Sequence, residues 1–140
     1  MTIWTPDHLA VLLDQAKPLR LSKIDFRGAC LTASDLRGAN LSGADLRGAY
    51  LTGAYLRGAN VTEADLTGAN LIRANLSEAD LTGANLCRAN LIRADLIRAW
   101  LSGAKYDDTT KWPDSFDPVK VGLKKIQPPD ETNTDESGQA

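Results

Sequence analysis

The chain has 140 residues, 43% of them hydrophobic but only 6% aromatic, and a formal net charge of −2. A single domain of this size with so few aromatics must build its interior from aliphatic and small side chains, which argues against a conventional globular core. One histidine, His8, and two cysteines, Cys30 and Cys87, exclude a Cys/His metal centre, a CxxC redox pair and a disulfide framework.

The N-terminal stretch MTIWTPDHLAVLLDQAKPL has no basic n-region, no small-residue cleavage site and no apolar run of the ~20 residues that span a bilayer. A cytoplasmic protein without a membrane segment is expected. Thr5-Pro6-Asp7 has the pattern of an N-cap, a proline at the first helical position and an acid in the first turn, which predicts a helix over residues 6–16 ended by Lys17-Pro18. Leu9, Leu12, Leu13 and Ala16 would share one side of it and cap the repeats.

From Phe26 to Tyr106 an apolar residue recurs at every fifth position without a slip, giving seventeen units over residues 24–106. Fourteen of these centres (position i) are leucine, fifteen of the seventeen residues at i−2 are alanine, and nine of the eleven glycines stand at i+2. A five-residue step scatters leucines around a helix and sends them to alternate faces of a strand, so neither element yields one core. A chain that bends once per unit solves this: i−2 and i point inward, i−1 and i+1 point outward, and glycine occupies the corner at i+2. The product is an all-β solenoid filled with leucine and alanine, its coils stacked at ~4.8 Å. Cys30 and Cys87 both fall on its outside, too far apart for a disulfide.

The i+1 residues of the early units alternate Arg with Thr or Ser, which favours an even number of units per coil, and LIRAN (71–75) lies 20 residues before LIRAD (91–95). Four units per coil, and about four coils in all, are expected. Hydroxyls would then ladder between coils, Thr32 on Thr52 and Ser42 on Thr62, while Asp25, Asp35, Asp45 and Tyr55 would lie beside the stacked arginines. In the later units the pattern changes: Ile72, Ile92 and Ile97 occupy i+1, Arg73, Arg88, Arg93 and Arg98 occupy i+2, and Trp100 occupies an outward i−1 position. Ile72, Arg73, Ile92, Arg93, Ile97, Arg98 and Trp100 therefore form a candidate interaction surface, an apolar strip rimmed by arginine. Its expected occupant is the chain's own C-terminal segment, with a protein partner or a second copy of the chain as the alternatives.

After the repeats, Trp112-Pro113 and Phe116 offer bulky groups to close the last coil near Tyr106, and Val119, Val121, Leu123 and Ile126 suggest a short ordered segment. Residues 127–140 are polar, acidic and proline-containing, the composition of a disordered tail.

The A(D/N)LxG units, as in ANLSG (39–43), ADLRG (44–48) and ADLTG (64–68), resemble those of pentapeptide-repeat proteins, and YDDTTKWPDSFDP (106–118) is similar to the end-cap segment of cyanobacterial members, with Ser115 where glycine is common. The resemblance implies a right-handed, four-sided parallel β-helix with a short N-terminal capping helix. It divides the chain into a cap and entry segment (1–23), the repeats (24–106), a C-terminal cap (107–126) and the tail (127–140).

No catalytic, cofactor or metal residue is expected. His8 sits in the first turn of the capping helix with no nucleophile motif near it, and carboxylates such as Asp35, Asp45, Asp65 and Asp80 are generated by the repeat itself. The resulting expectation is a non-catalytic scaffold that binds another protein through an outer face, with a homodimer through an end or face as a further option. Some relatives of this kind mimic DNA and bind type II topoisomerases such as gyrase, which needs a strongly negative rod. Residues 21–106 carry ten basic and eight acidic side chains, while residues 107–140 carry four and eight, so the acidity lies outside the rod. Nucleic-acid binding is disfavoured too, because the arginines alternate with acids and no aromatic stacking platform accompanies them.

Overall fold

The i−1 residues pair in parallel with residues 20 positions further on, from Arg20↔Asn40 to Asn85↔Lys105, so four units close each coil of a four-sided β-helix. The computed structural model describes residues 3–127, and the expected tail lies outside the described residues except for Gln127. Four faces result. The first stacks Arg20, Asn40, Asn60, Asp80 and Trp100; the second Asp25, Asp45, Asp65, Asn85 and Lys105; the third Cys30, Tyr50, Asn70 and Asn90; the fourth Asp35, Tyr55, Asn75 and Asp95.

The unit 64–68 shows why the repeat takes this form. Its five backbone N–H groups all find acceptors. Asp65 N–H donates down to Ala44 O at 2.9 Å, Leu66 and Gly68 donate up to Asn85 O and Cys87 O at 2.8 and 2.9 Å, and Ala64 closes the preceding turn onto Val61 O at 3.2 Å. The fifth, Thr67 N–H, donates to the Asp65 side chain at 3.0 Å. A buried β-rung leaves no backbone polar group unsatisfied, and Asp or Asn at i−1 supplies the acceptor that the stacking lacks. The interior is correspondingly apolar: the leucines from Leu31 to Leu91 and their alanines are buried.

Every i+2 residue from Lys23 to Gly103 has a positive φ, and eight of these seventeen corners are not glycine. The left-handed corner is thus set by stacking on neighbouring coils, and glycine only lowers its conformational cost.

Helix α1 spans Pro6–Leu13, with the Thr5 hydroxyl capping His8 N–H. It ends three residues short of the expected boundary, before Lys17-Pro18. Asp14 N–H closes onto Ala10 O, and Lys17 Nζ then takes Leu13 O at 2.7 Å, so the last-turn carbonyls are satisfied without further helix. Leu9 is buried and Leu12 and Leu13 pack half-buried on the core, whereas Ala16 is exposed and takes no part in the cap. Trp4 contributes instead: its ring meets Phe26 edge-on at 5.1 Å and its Nε1–H donates to Asp25 O at 2.6 Å. Rung geometry also starts one unit earlier than the repeat pattern, because Leu19 and Leu21 point inward on either side of Arg20, and an end coil has room for leucine in place of alanine.

At the other end β1 (Lys105–Tyr106) pairs in parallel with β2 (Lys124–Lys125) on the second face. Between them Asn90 pairs with Lys111 rather than with residue 110, and the extra residue is absorbed by a turn centred on Asp107. Asp107 Oδ1 accepts Arg88 N–H from the coil below at 3.1 Å and Thr109 N–H at 3.0 Å, and the buried Thr110 hydroxyl donates to Leu86 O at 2.9 Å. Over the opening Trp112 meets Tyr106 edge-on and stacks on Phe116, with ring centroids 5.7 and 4.8 Å apart. Leu123 is buried beneath this cap, but Val119 and Val121 are exposed, because the loop carrying them lies outside the prism.

Candidate interaction surface

The strip singled out in the sequence wraps the C-terminal end of the rod. Ile72 and Ile92 stand on the third face, Arg73 and Arg93 at the corner leading to the fourth, Ile97 on the fourth, Arg98 at the next corner and Trp100 on the first. Ile72 is half-buried, whereas Ile92, Ile97 and Trp100 are 40%, 65% and 66% exposed. Within the described residues the C-terminal segment leaves these three side chains exposed. Residues 107–126 turn across the end of the prism instead, because Tyr106, Trp112 and Phe116 gain more contact by plugging the open coil than by lying on a flat side.

Charge separates this end from the middle of the rod. Arg27, Arg37 and Arg47 are each held by the carboxylate two residues before them, at 2.8, 2.8 and 2.6 Å. The Arg37 side-chain hydrogen bond lowers the Asp35 carboxyl to about 2, and Arg47 lowers Asp45 in the same way. Arg57 does not use Tyr55 as expected. It reaches Glu78 on the coil above at 2.8 Å, a carboxylate that also lies 3.8 Å from Arg98. Among the described residues Arg73 and Arg93, one coil apart at the same corner, form no ion pair. Two unpaired guanidinium groups at successive levels repel each other and attract an acidic partner.

The hydroxyls do not ladder between coils either. Ser42, Thr62, Thr67 and Ser77 donate to the Asn or Asp side chain two residues earlier, at 2.5 to 2.7 Å, because that oxygen already faces their own backbone N–H.

Two exposed residues escaped the sequence reading as parts of a surface. Tyr50 (54% exposed) lies on the third face and Tyr55 (51%) on the fourth, both below the isoleucines. Their signal was available: twelve of seventeen i−1 positions hold Asp or Asn, and a tyrosine there forfeits the acceptor for the i+1 N–H. Trp100 makes the same departure. Breaking a local rule without gaining burial marks a position kept for contact with something else.

A cleft of about 470 Å³ opens beside Ile97, between the last rung of the fourth face (Ala94, Asp95, Leu96) and the cap residues Pro113, Asp114, Ser115 and Phe116. No group of three or more His, Cys, Asp or Glu suited to a metal ion occurs among the described residues, and no helix there is long and apolar enough to cross a membrane. Of the two thiols, Cys87 is pushed up by burial, away from the reactive thiolate range.

Comparison with known proteins agrees with this geometry. The family described as pentapeptide repeats matches in eight copies, over residues 20–54, 29–68 and 69–105. The chain is similar to the crystal structure of alr5209, a pentapeptide repeat protein from Nostoc Pcc 7120, at 37% identity and a TM-score of 0.56, covering 87% of this chain and 96% of that one. It is also similar to Rfr23, a pentapeptide repeat protein from the cyanobacterium Cyanothece 51142, at 33% identity and a TM-score of 0.44, covering 71% and 67% of the two chains. No curated protein matches. The coil is accordingly the right-handed quadrilateral β-helix of these proteins.

Proposed function

The chain belongs to the pentapeptide-repeat family, and from that premise we propose that it is a non-catalytic scaffold that binds another protein through the C-terminal part of its outer surface. The observation that carries this reading is that Ile92, Ile97 and Trp100 stand exposed on three successive faces of the last coil, with Arg93 and Arg98 at the corners between them and Arg73 and Arg93 without ion-pair partners among the described residues. Exposed isoleucine and tryptophan interleaved with arginine have the composition of a protein-binding surface. A rigid prism presents it without loss of backbone entropy on binding.

The alternative, a DNA-mimic modulator of a type II topoisomerase, draws less support. Of the eight carboxylates on residues 21–106, Asp25, Asp35 and Asp45 are each bound by an arginine of the same unit, and ten basic side chains share that stretch. The rod therefore lacks the strongly negative surface that mimicry needs.

The test is affinity capture from the source organism with the full chain carrying a photo-crosslinker at position 97, compared with the Trp100→Ala variant and with Ser42→Asp on a remote part of the rod. A single protein crosslinked by the first, lost with Trp100→Ala and retained with Ser42→Asp, is the expected result. Equal crosslinking in both variants would remove this surface from the reading, and inhibition of gyrase supercoiling at stoichiometric protein would favour the alternative.

A further inference from the structure

The β-helix ends unevenly. On the second and third faces the C-terminal cap supplies the next rung, with Lys124 N–H donating to Ala104 O at 2.7 Å and Lys111 O accepting from Leu91 N–H at 2.7 Å. On the fourth and first faces it supplies none. Among the described residues, Leu96 N–H and Ala94 O, and Leu101 N–H and Ala99 O, have no hydrogen-bond partner. One coil lower the equivalent groups are paired: Leu76 N–H with Asp95 O, Ala74 O with Asp95 N–H, Leu81 N–H with Trp100 O and Ala79 O with Trp100 N–H. The side chains show the same asymmetry, because Leu96 and Ala99 are half-buried while Leu76 and Ala79 are buried. The cleft beside Ile97 borders the fourth-face part of this edge, with Pro113, Asp114, Ser115 and Phe116 lining its other side.

Unpaired edge groups beside an apolar cleft form a template for strand addition. We propose that this edge binds an extended, acidic segment of a partner protein, which adds one parallel rung across the fourth and first faces; the proposal rests on the protein-binding reading above. Three features define the segment. Its backbone must offer a donor and an acceptor at one residue per face, as Asp95 and Trp100 do for the coil below. It must carry an aliphatic side chain to fill the cleft against Leu96 and Phe116. It must place an acidic group at the Arg93 corner, away from Asp95 and Asp114 that also line the cleft, because Arg93 has no ion pair among the described residues. The chain's own residues 128–140, PPDETNTDESGQA, meet the charge requirement but hold no Leu, Ile, Val, Met or aromatic side chain, so they do not meet the second.

A peptide with the required properties exists within the sequence: residues 74–83, ANLSEADLTG, occupy these two faces one coil below and contain Leu76, Leu81, Glu78 and Asp80. The test titrates a fluorescein-labelled copy of this peptide with the full-length protein and follows anisotropy. Binding is expected, with a loss of at least about tenfold when the peptide is N-methylated at its Asn75 and Asp80 positions, since two backbone hydrogen bonds are removed. Arg93→Glu should weaken binding about tenfold as well. That variant keeps its fold because Glu63 and Glu78 already occupy equivalent corners, which far-UV circular dichroism checks. No binding up to about 1 mM, or N-methylated peptide binding as well as the parent, would overturn the proposal. A protein that sediments as a dimer and excludes the peptide would also overturn it, in favour of a second copy at this edge. Persistence of the position-97 crosslink alongside any of these results would leave the scaffold reading standing and discard only the added rung.

Discussion

The side-chain oxygen of Asn75 accepts both the backbone N–H of Ser77 at 2.9 Å and the Ser77 hydroxyl at 2.6 Å. The same contact recurs at Asn40 with Ser42, Asn60 with Thr62 and Asp65 with Thr67. It explains why the residue before each central leucine is so often Asp or Asn. Asn75→Ala should therefore destabilise the protein by about 1 kcal/mol, the worth of a typical hydrogen bond, while Asn75→Asp keeps the acceptor and stays near wild type. Chemical denaturation of the two variants side by side provides the check.

Neighbouring residues in one unit should differ sharply. Leu56 is buried in a middle coil, so Leu56→Ala should lose ~2–5 kcal/mol through the cavity it leaves. Arg57 is exposed and makes only the surface ion pair with Glu78, so Arg57→Ala should change stability little. Equal denaturation midpoints for the pair would contradict the inward and outward assignment.

Corners offer a gain rather than a loss. Ala33 holds a φ of 57°, a conformation that costs a side chain roughly 1–2 kcal/mol, partly offset by the greater unfolded-state freedom of glycine. Ala33→Gly is expected to stabilise by about 0.5–1 kcal/mol. The reverse change at Gly58 meets no atom within 4 Å, so Gly58→Ala should destabilise by about 1 kcal/mol from backbone conformation alone. Calorimetric melting temperatures moving in opposite directions would bear this out.

Acid should loosen the rod. Arg37 lowers Asp35 to about 2, Arg47 lowers Asp45, and at Asp107 burial pulls upward but the Thr109 hydroxyl and the Arg88 and Thr109 N–H groups prevail and lower it. Groups depressed below their unfolded value of ~3.9 contribute stability that is present above that pH and lost as pH falls through the folded value. Thermal midpoints should be flat from neutral pH to about 5 and then decline between about pH 4 and 2. Asp107→Ala should already be destabilised at neutral pH, because the carboxylate that ties the C-terminal turn to Arg88 is gone. A flat profile down to about pH 2 would show that these carboxylates hold nothing together.

Most of the repeat was legible from residues alone. The five-residue period, the inward Leu and Ala, and the four-unit coil implied by LIRAN and LIRAD all appear in the structure. Less legible were contacts with several geometrically open choices. Arg57 could turn to Tyr55 or to Glu78, and the Ser and Thr hydroxyls could bond along the stack or within their own unit. Their partners depend on side-chain reach, which spacing does not encode.

The sequence by itself determined the coil, because each unit meets only its neighbours and the same small set of contacts is written out seventeen times. It likewise marked Ile92, Ile97 and Trp100 as departures from that rule. Only the tertiary structure decided that they stand uncovered among the described residues, and that the last coil pairs on two faces but not on the other two. The reason is that the C-terminal segment is aperiodic: its path is set by aromatic packing over one open coil, a single nonlocal event that no repeat records.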